Sequence, residues 1–499
     1  MKLYSEYQKD RINYHKNTTK NTVHRSSLIA PRFKNTYTNI SFLNHFLIKR
    51  NYNEVTLKLT AIDLKGNICE SISVPIDKPI VYSLNLEEFF QDNDNISEYL
   101  IEFFSSKNLF IPFPAVMVNN IGRDFINSVH SYNRVLNDIF EDDSVNKNHV
   151  YESSIDYLVN NDYDTFFNFA TGPIQDKNNI EVLLATEDSK IDKKNIAGDI
   201  GRLSNKNFFI SNIFSSDQLS NSKTGTIKIL PPYQKLFYGR ILAGIINKKT
   251  RAFSANHSYY DNSSVEEYFD NSLSRKTYTY FSNSLNRISM YPIMSPSTLY
   301  VKIEAIKDSK VYKTDTFKLT SPSSKPIHID IDNFVKENGL DGITAFEVVA
   351  ETDNGKIPSR VNHQLIYGHE NSKSNLNASI NVSLLNQSKF NPSNKKGFSW
   401  GQLLIDKDYI SKLGICFKEG TGKSDNIQID FYDQTGLIKT IKDKLEPGKS
   451  VIFDSKEFES QNKQRNFIWY TIQSSRSDIS AQSFHSNINS HNSSGDHSF

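Results

Sequence analysis

A chain of 499 residues is too long for one hydrophobic core and predicts roughly three to five domains. Its formal charge of +2 argues against a generally basic protein that coats nucleic acid, so we expect no nucleic-acid partner. Cys69 and Cys416, its two cysteines, argue against a disulfide framework or a cysteine-ligated metal. No apolar run approaches ~18 residues and the N-terminus has no apolar signal region, so we expect a cytoplasmic protein without a membrane span.

Residues 1–34 are polar and basic, with no helical or strand periodicity. Lysines and arginines outnumber Glu6 and Asp10, which are the acids in this segment. We interpret the segment as a basic N-terminal arm. Such a composition is typical of a disordered tail, and the alternative is an arm that binds nucleic acid or another partner.

Short strands with period-two alternation follow the arm. Residues 55–62 alternate apolar and polar side chains, Asp63 to Gly66 provide a turn, and residues 80–86 alternate again. Many short strands separated by turn residues predict an antiparallel β-sandwich. Residues 299–306, 325–331 and 345–350 repeat this pattern in the same order and with similar spacing, which indicates duplication.

Strand patterns also recur in two more divergent parts of the chain. Residues 180–184, 208–210 and 226–230 indicate a second sandwich, and residues 427–432 and 467–472 indicate a fourth. We therefore predict an all-β fold of about four tandem antiparallel β-sandwich domains with short helical connectors. The expected bounds are 35–150, 151–280, 281–375 and 376–499, the last with a polar, histidine-containing C-terminal tail.

Two connecting segments have helical signals, at residues 135–140 and 265–269, and both carry acidic residues. Residues 371–396 are rich in asparagine and serine and predict a linker, within which residues 380–385 could form an edge strand. The HExxH, G-x-S-x-G and paired CxxC signatures of common catalytic sites are absent from the sequence. Whether the protein is an enzyme is therefore left open.

A histidine recurs after a strand-like run about every hundred to 130 residues. His130 and His257 lie in nearly the same motif, a serine followed by one or two residues and then His-Ser-Tyr. Equivalent residues of tandem domains can converge, so a divalent transition metal could be bound by the repeat-end histidines. The proposed metal ligands are His130, His257, His363, His369, His485 and His497.

Two other roles are open for these histidines. Each could instead hydrogen-bond locally where a strand ends, with the serine and tyrosine hydroxyls as partners, or could transfer protons or contact a ligand. In every case we expect His130 and His257 near inter-domain junctions. At least two repeat-end histidines should approach the same cleft.

Arginines and tyrosines near the histidines form a second candidate set. Arginine beside tyrosine and histidine is suited to carboxylate, phosphate or acidic-sugar ligands, and it can equally link one domain to the next through nearby acids. The proposed ligand-binding residues are Arg123, Tyr132, Arg134, Arg251, Tyr259 and Arg360.

These observations favour a multidomain β-sandwich binding or scaffold protein that contacts a carbohydrate or acidic ligand at inter-domain clefts. The first alternative is a metal-dependent enzyme that uses the repeat-end histidines. The second is a structural subunit of a homo-oligomer or larger assembly, with the basic arm and the C-terminal tail as connectors.

Overall fold

The computed structural model describes most of the chain. The described residues are 2–3, 24–91, 94–105, 115–130, 132–135, 151–172, 175–186, 191–219, 224–231, 237–238, 240–261, 267–270, 273–291, 297–319, 326–358, 360–384, 396–418, 422–458 and 465–499. They form two compact units. The first unit is Glu6–Tyr260, and the second unit combines Met1–Ser5 with Asp261–Phe499.

Each unit contains two antiparallel β-sandwiches, which confirms the predicted all-β class with tandem sandwiches. We number them sandwich one to sandwich four in chain order. A two-residue strand, β1 (Lys2–Leu3), belongs to the second unit. Sandwich one consists of β2 (His24–Pro31), β3 (Tyr37–Leu43), α1 (His45–Arg50), β4 (Val55–Asp63), β5 (Ile68–Ile76), β6 (Val81–Asn85), α2 (Leu86–Phe89), β7 (Ile96–Ser105), β8 (Met117–Ile121) and β9 (Ile126–His130).

Sandwich two completes the first unit. A short strand, β10 (Arg134–Val135), precedes it and pairs with β17 (Phe237–Tyr238). The remaining elements are β11 (Glu152–Leu158), β12 (Tyr163–Ala170), β13 (Asn179–Thr186), β14 (Ile191–Ala197), β15 (Asn205–Phe209), α3 (Ile210–Ile213), α4 (Ser216–Leu219), β16 (Thr224–Leu230), β17 (Phe237–Tyr238), β18 (Leu242–Asn247), β19 (Phe253–His257) and β20 (Tyr259–Tyr260).

Sandwich three lies in the second unit. It is preceded by β21 (Glu267–Asp270), which pairs with β1 and with β29 (Lys356–Pro358). Its elements are β22 (Leu273–Thr279), β23 (Ser284–Met290), β24 (Leu299–Lys307), β25 (Lys310–Lys313), β26 (Phe317–Leu319), β27 (Ile327–Asp330), α5 (Ile331–Glu337), β28 (Ala345–Thr352), β29 (Lys356–Pro358), β30 (Asn362–His369) and β31 (Ala378–Ser383).

Sandwich four completes the second unit with eight strands and one 3-10 turn. Its elements are β32 (Gly397–Ile405), β33 (Tyr409–Phe417), β34 (Asp425–Asp433), β35 (Gly436–Leu445), β36 (Ser450–Asp454), the 3-10 turn Ser455–Phe458, β37 (Asn466–Ser474), β38 (Ile479–Asn487) and β39 (Ser493–His497).

All four sandwiches share one topology. Counting the eight main strands of each in chain order, one sheet has the order first–sixth–third–fourth and the other has the order fifth–second–seventh–eighth. In each sandwich a helical turn follows the fifth strand: α2, α3, α5 and the 3-10 turn Ser455–Phe458. Because strand order, chain direction and connector type all agree, the structure repeats one domain four times.

Alternating side chains build each core. In β4, Val55, Leu57 and Leu59 are buried, and the residues between them are half-buried. In β24, Leu299, Val301 and Ile303 repeat the pattern. One face of each strand therefore packs inside its sandwich, as period-two alternation predicts.

The fourth strand is an exposed edge in every sandwich. In each sandwich, a large aliphatic residue of the fourth strand pairs with the second-last residue of the third strand. Its side chain is exposed in all four cases: Ile68, Ile191, Val311 and Leu437. Pro75 lies in this strand of sandwich one, and exposed lysines lie in it in the other three: Lys194, Lys313 and Lys442. Proline and lysine hinder further strand pairing at such an edge.

Several expected boundaries differ from the structure. The first strand of sandwich one, β2, lies inside the predicted arm, and residues 4–23 of that arm lie outside the described residues. Sandwich three begins with β22 and ends with β31, so it extends beyond 281–375 on both sides. The strand β22 was missed because its partner β28 is distant in sequence. The strand β31 overlaps residues 380–385, which the sequence indicated as a possible edge strand, and it is the edge strand next to β30.

One predicted helix is a strand. Within the segment 265–269, the described residues form β21, which pairs in parallel with β1 and antiparallel with β29. Of the segment 135–140, residue 135 is in β10 and the others lie outside the described residues. Among the helices of the described residues, none is long and apolar enough to cross a membrane.

Gly66 provides a test of the junction between sandwiches one and two. It lies in the turn between the third and fourth strands with φ +76°, and a Cβ there would lie 2.1 Å from the carbonyl oxygen of Arg202 in sandwich two. Gly355 has a similar φ of +72°, with open space around the Cβ position. Gly355→Ala should therefore cost only the backbone strain, about 1–2 kcal/mol, whereas Gly66→Ala adds a clash and should cost about 2–4 kcal/mol.

Urea unfolding, monitored by hydrogen exchange, would measure the loss of stability separately for the unit that carries each substitution. Equal losses for the two variants would contradict the close approach of Gly66 to Arg202.

Candidate functional site

His130 and His257 are the last residues of the eighth strands of sandwiches one and two. His130 pairs with Met117 and His257 pairs with Leu242, the first residue of the seventh strand in each case. The two eighth strands, β9 and β19, contact each other in the first unit. The imidazole rings are 4.8 Å apart between centroids at an interplanar angle of 78°. The structure thus brings two repeat-end histidines together at an inter-domain junction.

Both histidines are almost fully enclosed. The exposed fraction is 2% for His130 and 0% for His257. Their ligand nitrogens lie within 4.8 Å of each other. A buried pair of imidazoles can share a proton, pack against each other or bind one metal ion.

Local hydrogen bonds fix the ring of His257. Its Nδ1 lies 2.8 Å from the carbonyl oxygen of Ser258. A carbonyl can only accept, so Nδ1 is the donor and Nε2 of the neutral ring holds the lone pair. The backbone N–H of His257 donates to Oδ1 of Asn256 over 2.7 Å.

Ser258, the serine of the motif, links the end of the eighth strand to Ile241 and Glu152 by hydrogen bonds. Ser258 donates its backbone N–H to the carbonyl of Ile241 over 2.8 Å, and its Oγ accepts the backbone N–H of Ile241 over 2.9 Å. The same hydroxyl donates to the buried carboxylate of Glu152, the first residue of β11. The motif therefore anchors the eighth strand to the residue before the seventh.

In the second unit, His497 repeats this arrangement at the end of sandwich four. Its Nδ1 lies 2.9 Å from the carbonyl oxygen of Ser498, and its N–H donates to Oδ1 of Asp496 over 2.8 Å. The hydroxyl of Ser498 accepts the N–H of Ala481 over 3.2 Å. The Asn/Asp-His-Ser sequence thus has a defined local structure in two sandwiches.

The other predicted ligands do not occupy this position. Ser383 is the equivalent residue in sandwich three, since it ends the eighth strand and pairs with Asn362. His363 and His485 lie in seventh strands, paired with Val382 and Ser494. Their likeness to His130 in the sequence therefore does not reflect structural equivalence.

His363 is held within sandwich three. Its Nε2 accepts from the hydroxyl of Tyr278 over 2.7 Å, and its Nδ1 donates to the carbonyl of Val361 over 3.2 Å. Burial lowers the pKa of the imidazole to about 3. These bonds leave neither ring nitrogen for a metal. His485 is also buried and packs edge-on against Tyr409 at 5.7 Å between ring centroids.

His369 and His491 form a stacked pair in the second unit, with ring centroids 3.9 Å apart and nearly parallel planes. Nδ1 of His369 accepts the N–H of Asn371 over 3.3 Å, which leaves the proton of the neutral ring on Nε2. Burial and the adjacent His491 lower the pKa of His369. This tautomer is the opposite of that in His257.

In the first unit, the structure places Arg123 and Arg251 apart from Tyr132 and Tyr259. In the first unit, Arg123 and Arg251 are exposed in the turns between the seventh and eighth strands, at the opposite end of the eighth strand from the histidines. The hydroxyphenyl ring of Tyr132 is buried, which raises its pKa. The Arg134 side chain lies outside the described residues, and Arg360, in the second unit, is buried immediately before the seventh strand of sandwich three.

Tyr259 does contact an arginine that the sequence did not single out. The guanidinium carbon of Arg240 lies 4.8 Å from the centre of the Tyr259 ring, a cation–π contact. The carbonyl of Arg240 accepts the N–H of Asn133 over 2.7 Å. Glu152 and Arg240 were missed because no motif surrounds either residue.

A chain of asparagine side chains crosses the same junction. Asn133 donates to Oδ1 of Asn168 over 2.6 Å, and Asn168 donates to Asn205 and Asn207 over 2.7 and 2.8 Å. Asn205 in turn donates to the buried carboxylate of Glu98, whose pKa burial raises to about 8. Nothing in the sequence distinguishes these asparagines from the many others, so this network was not predicted.

Comparisons with known proteins do not identify a family. No protein-family model matches the chain, and no curated protein matches it. Solved structures with some similarity include a calcium-binding mutant of Bacteroides uniformis beta-glucuronidase 2, at 12% identity and TM-score 0.11, covering 47% of this chain. This chain spans 26% of the length of that protein.

Two further solved structures are similar to the chain. One is a tetra-tandem repeat in the extending region of a large adhesion protein, at 9% identity and TM-score 0.09, covering 95% of this chain and 98% of that one. The other is the FN1–FN3 domains of chicken CNTN1, at 10% identity and TM-score 0.09, covering 69% of this chain and 96% of that one. With such low TM-scores, none of the three carries an argument about function.

Ser258 and Ser498 are a matched pair for testing the motif. Ser258→Ala removes a hydrogen bond from a buried carboxylate and another from a backbone N–H, so it should destabilise the first unit by about 2–3 kcal/mol. Ser498→Ala removes the bond to the N–H of Ala481 and should cost the second unit about 1 kcal/mol. Thermal and urea unfolding would measure both, and Ser258→Thr should restore stability. A Ser258→Ala cost no larger than that of Ser498→Ala would contradict the assigned role of Glu152.

His363 predicts acid sensitivity in the second unit. Its folded pKa is depressed below the ordinary value of 6.5, so the stabilisation is complete above about pH 6.5 and is lost as the pH falls towards 3. The loss is about 1.4 kcal/mol per pH unit at most. His363→Gln can still accept from Tyr278 but does not titrate, so it should show a smaller loss between pH 7 and pH 5. Hydrogen exchange of β30 amides at the two pH values would measure this, and equal losses in both proteins would refute it.

Proposed function

We propose that the protein is a multidomain scaffold in which each pair of sandwiches is one rigid building block. The observation that carries this proposal is that, in each unit, buried apolar side chains of one sandwich belong to the hydrophobic core of the other. In the first unit, Ile29, Ile62 and Leu100 of sandwich one belong to the same buried cluster as the core of sandwich two. Domains in one chain usually move relative to each other unless a large apolar interface joins them.

Aromatic side chains extend this junction. Phe33, from the loop after the first strand of sandwich one, lies 4.5 Å from Phe253 and 5.9 Å from Phe166 of sandwich two, between ring centroids. Phe125 of sandwich one lies 5.2 Å from Phe253. Each such aromatic pair stabilises the contact by about 0.5–1.5 kcal/mol beyond its buried area.

Directional hydrogen bonds supplement the apolar contact in the first unit. The N–H of Ala255 in sandwich two donates to Oδ1 of Asn127 in sandwich one over 2.6 Å. The N–H of Ile29 donates to the carbonyl of Asn133 over 3.0 Å. A sliding or rotated junction would leave these buried groups without partners, at a cost of about 1–3 kcal/mol each.

The second unit joins its sandwiches in a comparable way. Phe484 of sandwich four belongs to the buried cluster of sandwich three and lies 5.0 Å from Phe281 and 5.5 Å from Tyr367. The N–H of Thr277 donates to the carbonyl of Lys418 over 2.8 Å. Because both units have apolar contacts and hydrogen bonds between their two sandwiches, we infer that each unit holds the surfaces of its two sandwiches at a fixed separation.

Spin-label distances within the first unit test this rigidity in the full chain. Cys69 is exposed and can be labelled, whereas Cys416 is buried and burial raises its thiol pKa to about 12, so it should stay unlabelled. Lys194→Cys adds a second exposed site on sandwich two. Double electron–electron resonance between the two labels should give a single narrow distance.

Phe33→Ala should broaden that distance distribution, because it removes ring contacts that cross the junction. Tyr82→Ala is the matched control, since its ring stacks on Phe42 within sandwich one, and it should leave the distribution narrow. A broad or multiple distribution in the unaltered chain would overturn the rigid scaffold.

A further inference from the structure

We propose that His130 and His257 are two ligands of a divalent transition-metal site, with Zn²⁺ as the preferred ion, at the junction of sandwiches one and two. Zinc binding goes beyond the scaffold role, because rigidity does not require a metal. The proposal is based on the geometry of the pair, the tautomer of His257 and the enclosure of both rings.

The geometry of the pair suits a shared ion. Zn–N bonds are about 2.0–2.1 Å long, so two nitrogens on one tetrahedral ion lie about 3.3 Å apart. The ligand nitrogens of His130 and His257 lie within 4.8 Å of each other. This upper limit includes the separation that one tetrahedral ion requires.

The hydrogen bonds of His257 match those of a metal-bound histidine. Such a histidine usually donates its other ring N–H to a carbonyl or carboxylate, which fixes the tautomer and the ring orientation. His257 donates Nδ1–H to the carbonyl of Ser258 over 2.8 Å, and Ser258 is fixed by Ile241 and Glu152. Its Nε2 is therefore oriented for binding before any ion arrives.

Hydrogen bonding distinguishes His257 from His363 and His369. Imidazole nitrogen is a favourable ligand for zinc, and the enclosed rings of His130 and His257 would hold an ion away from competing water. In His363 both ring nitrogens are engaged, and in His369 the Nδ1 accepts a backbone N–H. The carboxylate of Glu152, linked to His257 through Ser258, places a negative charge in the same junction.

Zinc titration of the full chain tests the proposal. A Cys69→Ser background removes the exposed thiol as a competing ligand. After treatment with a chelator, the protein should bind one Zn²⁺ per chain, measured by elemental analysis and by competition with a chromophoric chelator. His130→Ala and His257→Ala should each weaken the affinity by more than about ten-fold. His328→Ala changes an exposed histidine of the second unit and should bind zinc as the parent does.

X-ray absorption at the zinc edge keeps the proposal testable even if a variant folds poorly. The zinc-loaded parent should show nitrogen and oxygen scatterers at about 2.0–2.1 Å with the signature of at least two imidazoles. Hydrogen exchange of β9 and β19 would establish that the variants are folded. Failure of the parent to retain zinc, or unchanged affinity in folded His130→Ala and His257→Ala variants, would overturn the site and assign the pair to packing alone.

Discussion

The contact between eighth strands is the constraint on which both units depend. In the first unit β9 packs against β19, and in the second unit β31 packs against β39. Because each eighth strand is an edge of its sheet, this packing covers two edges that would otherwise be open to strand addition. In the first unit, the two eighth strands in contact end at equivalent residues of their sandwiches. His130 and His257 meet for this reason.

The repeat is therefore clearest in register rather than in residue identity. The third strands end at equivalent positions, Asp63, Thr186, Lys307 and Asp433, and the next strand begins with or close to the exposed aliphatic residue. The eighth strands end in His130, His257, Ser383 and His497. Serine replaces histidine in sandwich three alone. The local hydrogen bonds of the motif are repeated in sandwiches two and four, and the first unit is the one in which both eighth strands end in histidine.

Strand alternation made the fold predictable, because one face of each strand packs on a core wherever the sandwich occurs. The match between residues 55–62 and 299–306 was correct for this reason, and both segments are third strands. The limits of this reasoning appear in β2 and β31. β2 is preceded by a polar segment and β31 lies in an asparagine- and serine-rich segment, so composition indicated an arm and a linker. The strand β2 pairs with β7, which is distant in sequence, and such pairing leaves no local signal. The strand β31 pairs with the preceding strand β30, and its residues 380–383 carried the edge-strand pattern despite the composition around them.

The candidate site was predictable where the motif is local. The Asn/Asp-His-Ser sequence makes its hydrogen bonds within three residues and to the neighbouring strand, so His257 and His497 share both sequence and geometry. His363 resembled them in spacing but lacks the following serine, and the structure places it in a seventh strand. Arg123 and Arg251 were close to the histidines in sequence but are separated from them by the length of the eighth strand.

The asparagine network shows how so polar a chain can form close junctions. Hydrophobic residues make up 37% of the sequence, yet Asn133, Asn168 and Glu98 are buried between sandwiches because their side chains hydrogen-bond to other polar groups. Amide–amide bonds require defined distances and angles, so they select one relative placement of two sandwiches more strictly than apolar contact does. Glu98 ends this network with a raised pKa, and it is therefore predominantly protonated in the folded unit at neutral pH. The stabilisation from that proton is lost as the pH rises from about 4.5 towards 8, the opposite direction to His363.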